Sequence, residues 1–472
     1  MGHRLRRHGG LSQLGVLSAR FNSRRIALIF VMLFALPASK AAETSISFRK
    51  DLAPILQQKC VACHSPQKTK GGFQLHTFEA LMKGGESKAP SVTPGNPSRS
   101  KIFELITTKD PEDRMPQNDD PLALAQIARI EQWIKQGAKF DGEDPALPLS
   151  ALIPSPPLPD PPASYSRPVP VLALAFSPDG KELAAGGYHE ITIWEPIGGK
   201  LLRRISKVAQ RTHTLAYSPD GKLLAAASGS PGRLGEVKLF DPSSGMVVKT
   251  LATAADAMFA LCLNTNGTRL AAGGADNAIR IFSLASGKQE LVIEQHADWV
   301  MSLAFSPDGS HVASASRDKS ARVFDSKTGE LETSYFGHGD AVFAVAFSAD
   351  GKQICSAGRD KKIHLWQPGD AKKNSEIGGF EGEVLRLVLE DNQLFSCSAD
   401  KIVRHHRLTE KKPEIIGEYF GHRDFVYALS YHALTHRLAS GSFDGEVRIW
   451  SSQEGKLLSA FTAAPGYHAT KE

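Results

Sequence analysis

The chain has 472 residues, of which 41% are hydrophobic and 22% are charged, and its formal net charge is +6. This length favours two or more domains, and the composition is that of a globular protein rather than a disordered or membrane-embedded one. Residues 1–41 hold seven of the 56 Lys and Arg and no acid, so the remainder carries 49 bases against 50 acids. The remainder therefore lacks the basic excess of a nucleic-acid-binding protein, and no nucleic-acid partner is expected.

The N-terminal segment has the order of features of an export signal. Arg24 and Arg25 precede the apolar run 26–36, and small residues follow around Ala41. The run is too short to cross a bilayer comfortably. We therefore predict a signal peptide over residues 1–41, export to a bacterial periplasm, and no transmembrane span after its removal. An uncleaved anchor is the alternative.

The sequence KCVACH places two cysteines three positions apart and a histidine directly after the second. Cys60, Cys63 and His64 match the CxxCH pattern in which two thiols form thioethers with haem and the histidine binds the iron. Just upstream, Asp51 and Pro54 are suited to the start of a helix leading into Cys60. The motif predicts one covalently bound haem c, and attachment outside the cytoplasm agrees with an export signal.

Two other interpretations of the cysteine pair use fewer of these residues. A structural zinc site needs four ligands, and no second CxxC is present among the five cysteines. A thioredoxin-like redox pair gives no role to the adjacent His64. Cys262, Cys355 and Cys397 each stand alone in apolar or small-residue runs, which predicts small buried side chains.

The second axial ligand of the iron decides between electron transfer and chemistry at the metal. The candidates downstream of His64 are His76, Met82 and Met115. We favour Met115, because the loop DPEDRMPQNDDP is rich in turn residues and prolines that can present a thioether rigidly. After this loop, Asp120 and Pro121 predict the start of a helix that ends at Gly137. Its apolar stripe is predicted to comprise Leu124, Ile127, Ile130 and Ile134.

The segment from Phe48 to Ala138 resembles the planctomycete-type cytochrome c domain. The resemblance is carried by PIL before CVACH, and then by KGGFQLHT, VTPGNPSRS, DRMP and IEQWIKQGA. It implies a small all-α cytochrome c domain, which we place over residues 45–141, with Met115 as the distal haem ligand. The chain departs from the family pattern at His76, where aspartate is more usual, and in having MPQ instead of MPP.

Residues 142–167 are predicted to be a linker, because ten prolines lie between Pro145 and Pro170. This proline density is too high for a helix or a central strand, and it favours a stiff, extended spacer.

Seven repeats follow over residues 168–462. Each repeat contains two alternating apolar strands around a turn such as SPDG. One aromatic or aliphatic residue occupies the same position in the first strand of every repeat, and successive residues at this reference position are separated by 41, 46, 42, 42, 42 and 42 residues. These positions are Phe176, Tyr217, Leu263, Phe305, Phe347, Leu389 and Tyr431. A period of this length predicts an all-β propeller of seven four-stranded blades.

The repeats resemble WD repeats. Two of them match the family's buried tetrad in full, as His338, Ser356, Asp360 and Trp366 and as His422, Ser440, Asp444 and Trp450. The fourth repeat has Phe324 at the tryptophan position, and the sixth has His406 there, after His405. The resemblance implies structural tetrads and a surface that binds other macromolecules. For the two histidines of the sixth repeat we expect a packing or surface role, with a metal site as the alternative. The outer strand of blade 7 is predicted at Lys456–Phe461, which leaves the first and last blades joined by packing alone.

Together these features predict an exported monohaem electron carrier that meets redox proteins, with the propeller as a docking platform. Two alternatives remain open at this stage. In one, the state of the haem gates propeller binding, as in a redox or gas sensor. In the other, the propeller holds a second cofactor and the protein is an oxidoreductase.

Overall fold

The computed structural model describes residues 45–61, 63–65, 68–87, 89–117, 120–153, 157–409 and 412–467. The predicted signal peptide lies outside these residues. From Ile46 onward the chain forms one compact unit. Among the described residues, no helix is long and apolar enough to cross a membrane.

The described residues of the N-terminal region form five α-helices and one small sheet. They are α1 (Ala53–Lys59), α2 (Phe78–Lys83), α3 (Lys101–Thr107), α4 (Leu124–Lys135) and α5 (Leu149–Leu152), with strands β1 (His64–Ser65) and β2 (Lys68–Thr69). A π-helical turn over Phe48–Leu52 precedes α1, and 3-10 turns lie at Lys70–Gly72 and Pro97–Arg99. Because β1 and β2 pair antiparallel, the expectation of an entirely helical domain is not confirmed.

The first helical segment begins at Phe48, before the predicted cap Asp51. Ser47 is the cap, and its hydroxyl accepts a hydrogen bond from the Lys50 amide at 3.0 Å. Asp51 contributes by accepting from the Ser47 amide at 2.9 Å. This cap places Phe48 and Leu52 in the core, and α1 continues from there toward Cys60.

Helix α4 is shorter than predicted at its N-terminal end. It starts at Leu124, where the Ala123 amide donates to the Gln126 side chain at 3.0 Å. Ile130 and Ile134 are buried and Ile127 packs against the core, as predicted, but Leu124 is 85% exposed. The prediction for Leu124 was therefore wrong, because the first turn of the helix extends beyond the core.

An aromatic cluster organises the core of the N-terminal region. Phe48 contacts Phe78 edge to face, with ring centroids 4.9 Å apart, and lies 5.5 Å from Trp133. Leu149 and Leu152 of α5 belong to the same core. The proline-rich segment therefore does contain a helical turn, contrary to the sequence-based expectation, because two leucines in it pack into the cytochrome-like core.

Seven four-stranded antiparallel sheets follow, each built from four consecutive strands. Blades 1 and 2 comprise β3 (Leu174–Phe176), β4 (Leu183–Gly186), β5 (Ile191–Glu195), β6 (Lys200–Ile205), β7 (Arg211–Tyr217), β8 (Leu224–Ser230), β9 (Leu234–Phe240) and β10 (Val247–Ala254). Blades 3 and 4 comprise β11 (Met258–Leu263), β12 (Arg269–Gly274), β13 (Ile279–Ser283), β14 (Gln289–Ile293), β15 (Val300–Phe305), β16 (His311–Ser316), β17 (Ala321–Asp325) and β18 (Leu331–Tyr335).

Blades 5 to 7 complete the ring. Their strands are β19 (Val342–Phe347), β20 (Ile354–Gly358), β21 (Ile363–Trp366), β22 (Lys373–Ile377), β23 (Val384–Glu390), β24 (Gln393–Ser398), β25 (Val403–Arg407), β26 (Glu414–Tyr419), β27 (Val426–His432), β28 (Arg437–Ser442), β29 (Glu446–Ser451) and β30 (Leu457–Thr462). The seven-bladed propeller predicted from the repeat is confirmed.

The SPDG turns join the first two strands of several blades by one local hydrogen-bond pattern. In blade 4 the Ser306 hydroxyl donates to Asp308 at 2.6 Å, and the Gly309 amide donates to the Ser306 carbonyl at 2.8 Å. Gly309 has a φ of +73°, a conformation that glycine adopts without steric cost. The turn therefore fixes the register of the two strands that it connects.

The tetrad of blade 5 is a directed chain of hydrogen bonds. The Trp366 indole donates to the Ser356 hydroxyl at 3.0 Å, and this hydroxyl lies 2.8 Å from Nε2 of His338. Nδ1 of His338 lies 2.8 Å from Asp360. A carboxylate only accepts, so Nδ1 carries the proton, and the serine donates to Nε2. All four side chains are used structurally.

Blade 7 keeps only part of this network. Ser440 contacts Nε2 of His422 at 2.7 Å and accepts from Trp450 at 2.8 Å. Among the described residues, however, Nδ1 of His422 has no hydrogen-bond partner, and Asp444 accepts from the Arg423 amide instead. The sequence match therefore predicted the four residues of blade 7 but not the loss of the histidine–aspartate bond.

Replacing Ser356 with alanine is expected to lower the free energy of unfolding by roughly 1–3 kcal/mol, because it leaves Trp366 and His338 with unpaired buried polar atoms. The measurement is chemical denaturation followed by circular dichroism. The same change at Ser375, on the outer strand of blade 5, is the control and should have a much smaller effect. Equal effects of the two changes would contradict the account of the tetrad.

Burial lowers the pKa of five propeller histidines to about 4, and these are His213, His364, His405, His406 and His422. The unfolded chain takes up protons at these side chains below their ordinary pKa of 6.5, whereas the folded protein does not until the pH approaches 4. The stabilisation is therefore complete above pH 6.5 and is lost as the pH falls from about 6.5 to 4.

We expect the urea midpoint to fall from pH 7.5 to pH 5, by an amount equivalent to a few kcal/mol. His364→Gln should reduce this pH dependence. His436→Asn, at an exposed position with a positive φ that asparagine tolerates, should not change it. A pH profile that is identical in all three proteins would rule out this contribution of His364.

The outer strand of blade 7 comes from the chain end, as predicted, since β30 pairs with β29. The first and last blades are nevertheless joined by hydrogen bonds, contrary to the expectation of packing alone. The Val171 amide donates to the Ser442 carbonyl at 3.0 Å, and the Phe176 amide donates to the Ser430 hydroxyl at 3.0 Å. One main-chain hydrogen bond and one bond from a main-chain amide to a serine hydroxyl thus join the two blades, in place of the shared strand that the repeat pattern lacks.

The last part of the proline-rich segment is attached to blade 1. The Tyr165 hydroxyl donates to the buried carboxylate of Glu190 at 2.5 Å, and Arg204 binds the same carboxylate at 2.6 Å. Arg204 also donates to the carbonyls of Pro162 and Ala163. Burial and the neighbouring Glu190 raise the pKa of Tyr165. These bonds hold the segment in place immediately before β3.

Candidate functional site

The CxxCH motif lies at the C-terminal end of α1. The helix ends with the Cys60 amide donating to the Leu56 carbonyl at 2.9 Å. The amides of Cys63 and His64 then both donate to the Cys60 carbonyl, at 3.2 and 3.1 Å. This turn places both thiols and the imidazole at one end of the helix, which is the arrangement that attachment to a single porphyrin requires.

The His64 ring is oriented by a main-chain contact. Its Nδ1 atom lies 3.1 Å from the Phe73 carbonyl, and the Phe73 ring meets the imidazole edge to face with centroids 5.3 Å apart. A carbonyl oxygen only accepts, so Nδ1 carries the proton and Nε2 keeps its lone pair. An imidazole that donates through Nδ1 in this way is prepared to bind a metal through Nε2.

One cleft brings the predicted ligands together. It is lined by Lys59, Cys60, Cys63, His64, Lys70, Ile106, Met115, Pro116, Gln117 and Leu122. Met115 reaches this cleft from the loop after α3, where its amide donates to the Leu105 carbonyl at 2.9 Å. The two alternative ligands do not line it: Met82 packs against the core of the region, and His76 lies outside the cleft with its Nδ1 buried.

The donor set of the cleft fits a covalently bound haem. Two thiols, one oriented imidazole and one thioether share a lining that includes the apolar side chains of Ile106 and Leu122. Burial, followed by the neighbouring Cys63, raises the pKa of the Cys60 thiol to about 12. A neutral thiol of this kind does not suit a reactive redox pair, whose nucleophile is the thiolate.

Cationic side chains lie beside the cleft. Lys59 and Lys70 line it, and Arg114 precedes Met115 in the chain. Nε of Arg114 is buried and has no hydrogen-bond partner among the described residues. Such positive groups suit the carboxylates of haem propionates, which favour arginine and lysine as partners.

The remaining cysteines are far from this chemistry in sequence and in fold. Cys355 and Cys397 are buried in blades 5 and 6, as predicted, while Cys262 is only partly buried in blade 3. Burial raises the pKa of each thiol to about 12. None of the three forms a disulfide in the described part of the chain.

Sequence reasoning missed a buried histidine pair in blade 5. His364 stacks on His338 with ring centroids 4.1 Å apart and hydrogen-bonds Tyr335 through Nδ1 at 2.8 Å. Ligand atoms of His338, Asp360 and His364 lie within 4.8 Å of one another, as do those of His422, Asp444 and Glu446 in blade 7. In blade 5, His338 already uses both ring nitrogens in the tetrad, so this cluster is better explained by packing. The signal in the sequence that could have indicated this pair is His364, two positions before the tetrad residue Trp366.

The two adjacent histidines of blade 6 also have packing environments. His405 stacks on Phe395 with centroids 4.2 Å apart and lies 2.6 Å from the Gln393 side chain. His406 is buried at the position that Trp366 occupies in blade 5. Both histidines are therefore buried within blade 6, which agrees with a packing role.

Aromatic and arginine side chains border the propeller face at the start of the first strands. Arg317 lies over the Trp299 ring at 4.0 Å, and Trp299 lies 5.1 Å from Phe259. On the opposite side of the ring, Tyr427 lies between Phe425 and Phe443, which are each 42% exposed. We call these six residues the aromatic rim. Aromatic and arginine residues are the types that dominate binding energy at protein interfaces.

Fold and cleft together resemble a cytochrome c-type region joined to a WD-repeat propeller. Comparison with known families agrees: residues 60–119 match the model described as planctomycete cytochrome C, and five segments match the WD domain, G-beta repeat. Those segments are 163–195, 245–283, 287–325, 329–367 and 413–451. The matched segments do not include the third strands of blades 2 and 6. At the position of the tetrad tryptophan, these strands carry Phe240 and His406. No curated protein matches the chain.

Proposed function

We propose that the protein is an exported monohaem c-type cytochrome that carries electrons and uses its propeller as a docking platform. The observation that supports this most strongly is the position of Met115, which lines the same cleft as Cys60, Cys63 and His64. His64 and Met115 would hold the iron of a bound haem through an imidazole and a thioether, and a haem held in this way would supply electron exchange.

The chain's own residues have separate roles in this proposal. Cys60 and Cys63 attach the cofactor covalently, and Phe73 holds His64 in the orientation that presents Nε2. Ile106 and Leu122 would keep water away from the bound group, and Met115 would favour its reduced state relative to a second nitrogen ligand. When bound, haem supplies reversible one-electron chemistry.

The propeller contributes recognition in this proposal. The aromatic rim presents exposed Phe425 and Phe443 beside Trp299 and its arginine partner, which suits a macromolecular partner such as a redox protein. The fold by itself is used for many functions, so the argument rests on these side chains and not on the propeller as such.

Optical spectroscopy of the full-length protein purified from a periplasmic extract tests the electron-transfer role. We expect low-spin spectra in both oxidation states, the weak methionine–iron charge-transfer band in the oxidised protein, and no carbon monoxide binding to the reduced protein at low micromolar concentration. A high-spin, five-coordinate spectrum with tight carbon monoxide binding would instead support a gas sensor and contradict the proposal. Recovery of the protein in the cytoplasm alone would contradict export.

A further inference from the structure

The central channel of the propeller contains one arginine in a ring of small residues. One position of each repeat lies three residues before the reference position, on the first strand of the blade or directly before it, and six of these seven residues line the channel cavity. This position is occupied by Ala173, Thr214, Ala260, Ser302, Ala344, Arg386 and Ala428. A long cationic side chain therefore occurs in blade 6 alone at this level of the ring.

Arg386 reaches across the channel to two other blades. Its Nη2 donates to the His213 carbonyl of blade 2 at 2.7 Å, and its Nη1 lies 3.4 Å from the Met301 carbonyl of blade 4. A guanidinium has five N–H donors, so these two carbonyls leave most of its donors available. The contacts fix where the positive charge lies in the channel.

No carboxylate compensates this charge. Among the described residues that line the channel cavity there is no Asp or Glu, and no ion pair involves Arg386. Burial lowers the pKa of Arg386. Arg386 is half-buried. Positive charge that is partly withdrawn from water without a counter-charge is costly, and buried arginines are normally paired with acids. An anion from solution would provide the missing partner.

A second polar group points to the same place. His213 lines the cavity, and its Nε2 atom is buried with no hydrogen-bond partner among the described residues. Burial, followed by the nearby charge of Arg386, lowers the pKa of His213 to about 4. An oxyanion beside Arg386 would give this imidazole a hydrogen-bond partner and offset the repulsion that disfavours its protonation.

We propose that the channel binds a small oxyanion, of the carboxylate or phosphate type, between Arg386 and His213. The cavity has a volume of about 170 Å³, which is enough for a polyatomic anion with some water, since a water molecule occupies about 30 Å³ of liquid. Planar carboxylates and phosphates match the paired N–H groups of a guanidinium. Thr214 and Ser302 line the same cavity, although their hydroxyls already bond to the main chain or accept from it.

A second cavity adjoins the channel cavity. It has a volume of about 640 Å³ and lies between the proline-rich segment and blade 1, and Leu172 lines both cavities. Arg167 and Arg211 line the larger cavity, and the described residues that line it include no acid. Positive groups near a binding site raise the local concentration of anions.

The test is direct binding to the full-length, haem-loaded protein. Carbon-13-labelled formate and inorganic phosphate are titrated separately at constant ionic strength in chloride, with NMR relaxation of formate and calorimetry as readouts. We expect saturable binding of at least one anion, and a perturbed Nε2 signal of His213 on saturation. Binding of formate identifies the carboxylate type, and binding of phosphate identifies the phosphate type.

Arg386→Ala gives blade 6 the residue of four other blades and should weaken binding tenfold or more. Arg386→Met keeps most of the length of the side chain and replaces the alanine variant if that variant does not fold. It should also weaken binding tenfold or more. Arg407→Ala, at an exposed arginine of the same blade that does not line the channel cavity, is the matched control and should leave the affinity unchanged. If neither anion binds, or if the wild type and the Arg386 variants bind with equal affinity, Arg386 only connects the blades through its hydrogen bonds and the proposal is wrong.

Discussion

Replacing Met115 with alanine is expected to produce the largest change in the redox properties of this protein. The loss of the thioether should abolish the methionine–iron charge-transfer band and make at least part of the oxidised protein high-spin. The reduction potential should fall by tens to hundreds of millivolts, within the roughly 0.8 V range that axial ligation covers. Absorption spectroscopy and protein-film voltammetry measure these effects.

Met82→Ala is the matched control for this experiment. Met82 lies in the same region and packs against its core but does not line the cleft. The control variant should lose some stability and keep the spectrum and potential of the wild type. If Met82→Ala abolished the charge-transfer band and Met115→Ala did not, the ligand would be Met82 and the argument from the cleft would be wrong.

Deleting the chain from Gly455 onward is expected to have the largest effect on propeller stability. The truncation removes β30, whose Phe461 packs on Trp194 of blade 1 with ring centroids 5.0 Å apart. It also removes buried Ala463 and Ala464 and the Pro465 carbonyl that accepts from the Tyr165 amide at 3.1 Å. The deletion thus exposes the edge of β29 and the surface of Trp194 that Phe461 covers. It also removes one contact of the proline-rich segment.

We expect the propeller transition to fall by about 10 °C or more, which corresponds to a loss of several kcal/mol for a domain of this size. Differential scanning calorimetry measures it. A chain that ends after Tyr467 is the control and should melt like the wild type. An unchanged transition in the longer deletion would mean that β30 does not contribute to closure.

The sequence was most informative where chemistry or repetition restricts the residues strongly. The spacing of Cys60, Cys63 and His64 has few chemical uses, and a period near 42 residues has few architectures that accommodate it. Met115 was selected from three candidates by the rigidity of its loop, and it does lie at the cleft with the motif. Its role as an iron ligand remains a prediction.

The features that the sequence did not reveal depend on contacts between distant residues. The apolar period of α4 was visible, but whether its first turn reaches the core depends on the position of the neighbouring helices, and Leu124 proved exposed. Leu149 and Leu152 form a helical turn among prolines because a core is there to receive them. The hydrogen bond from Val171 to Ser442 joins residues at opposite ends of the propeller sequence, and no local pattern encodes it.

Partial matches to a family pattern were also misleading in detail. His422 and Asp444 occupy tetrad positions in blade 7, but the aspartate accepts from main-chain amides, including that of Arg423, and leaves Nδ1 of the histidine unpaired. Residue identity constrains which hydrogen bonds can form, whereas side-chain orientation decides which ones do.

The most direct test of the account is mass spectrometry of the proteolytic peptide that contains Cys60 and Cys63, from protein matured in a bacterial periplasm with haem-attachment machinery. The account predicts one haem per chain, retained on this peptide after denaturation and extraction with acidic acetone. A colourless mature protein, or a peptide that carries both cysteines without added mass, would contradict it.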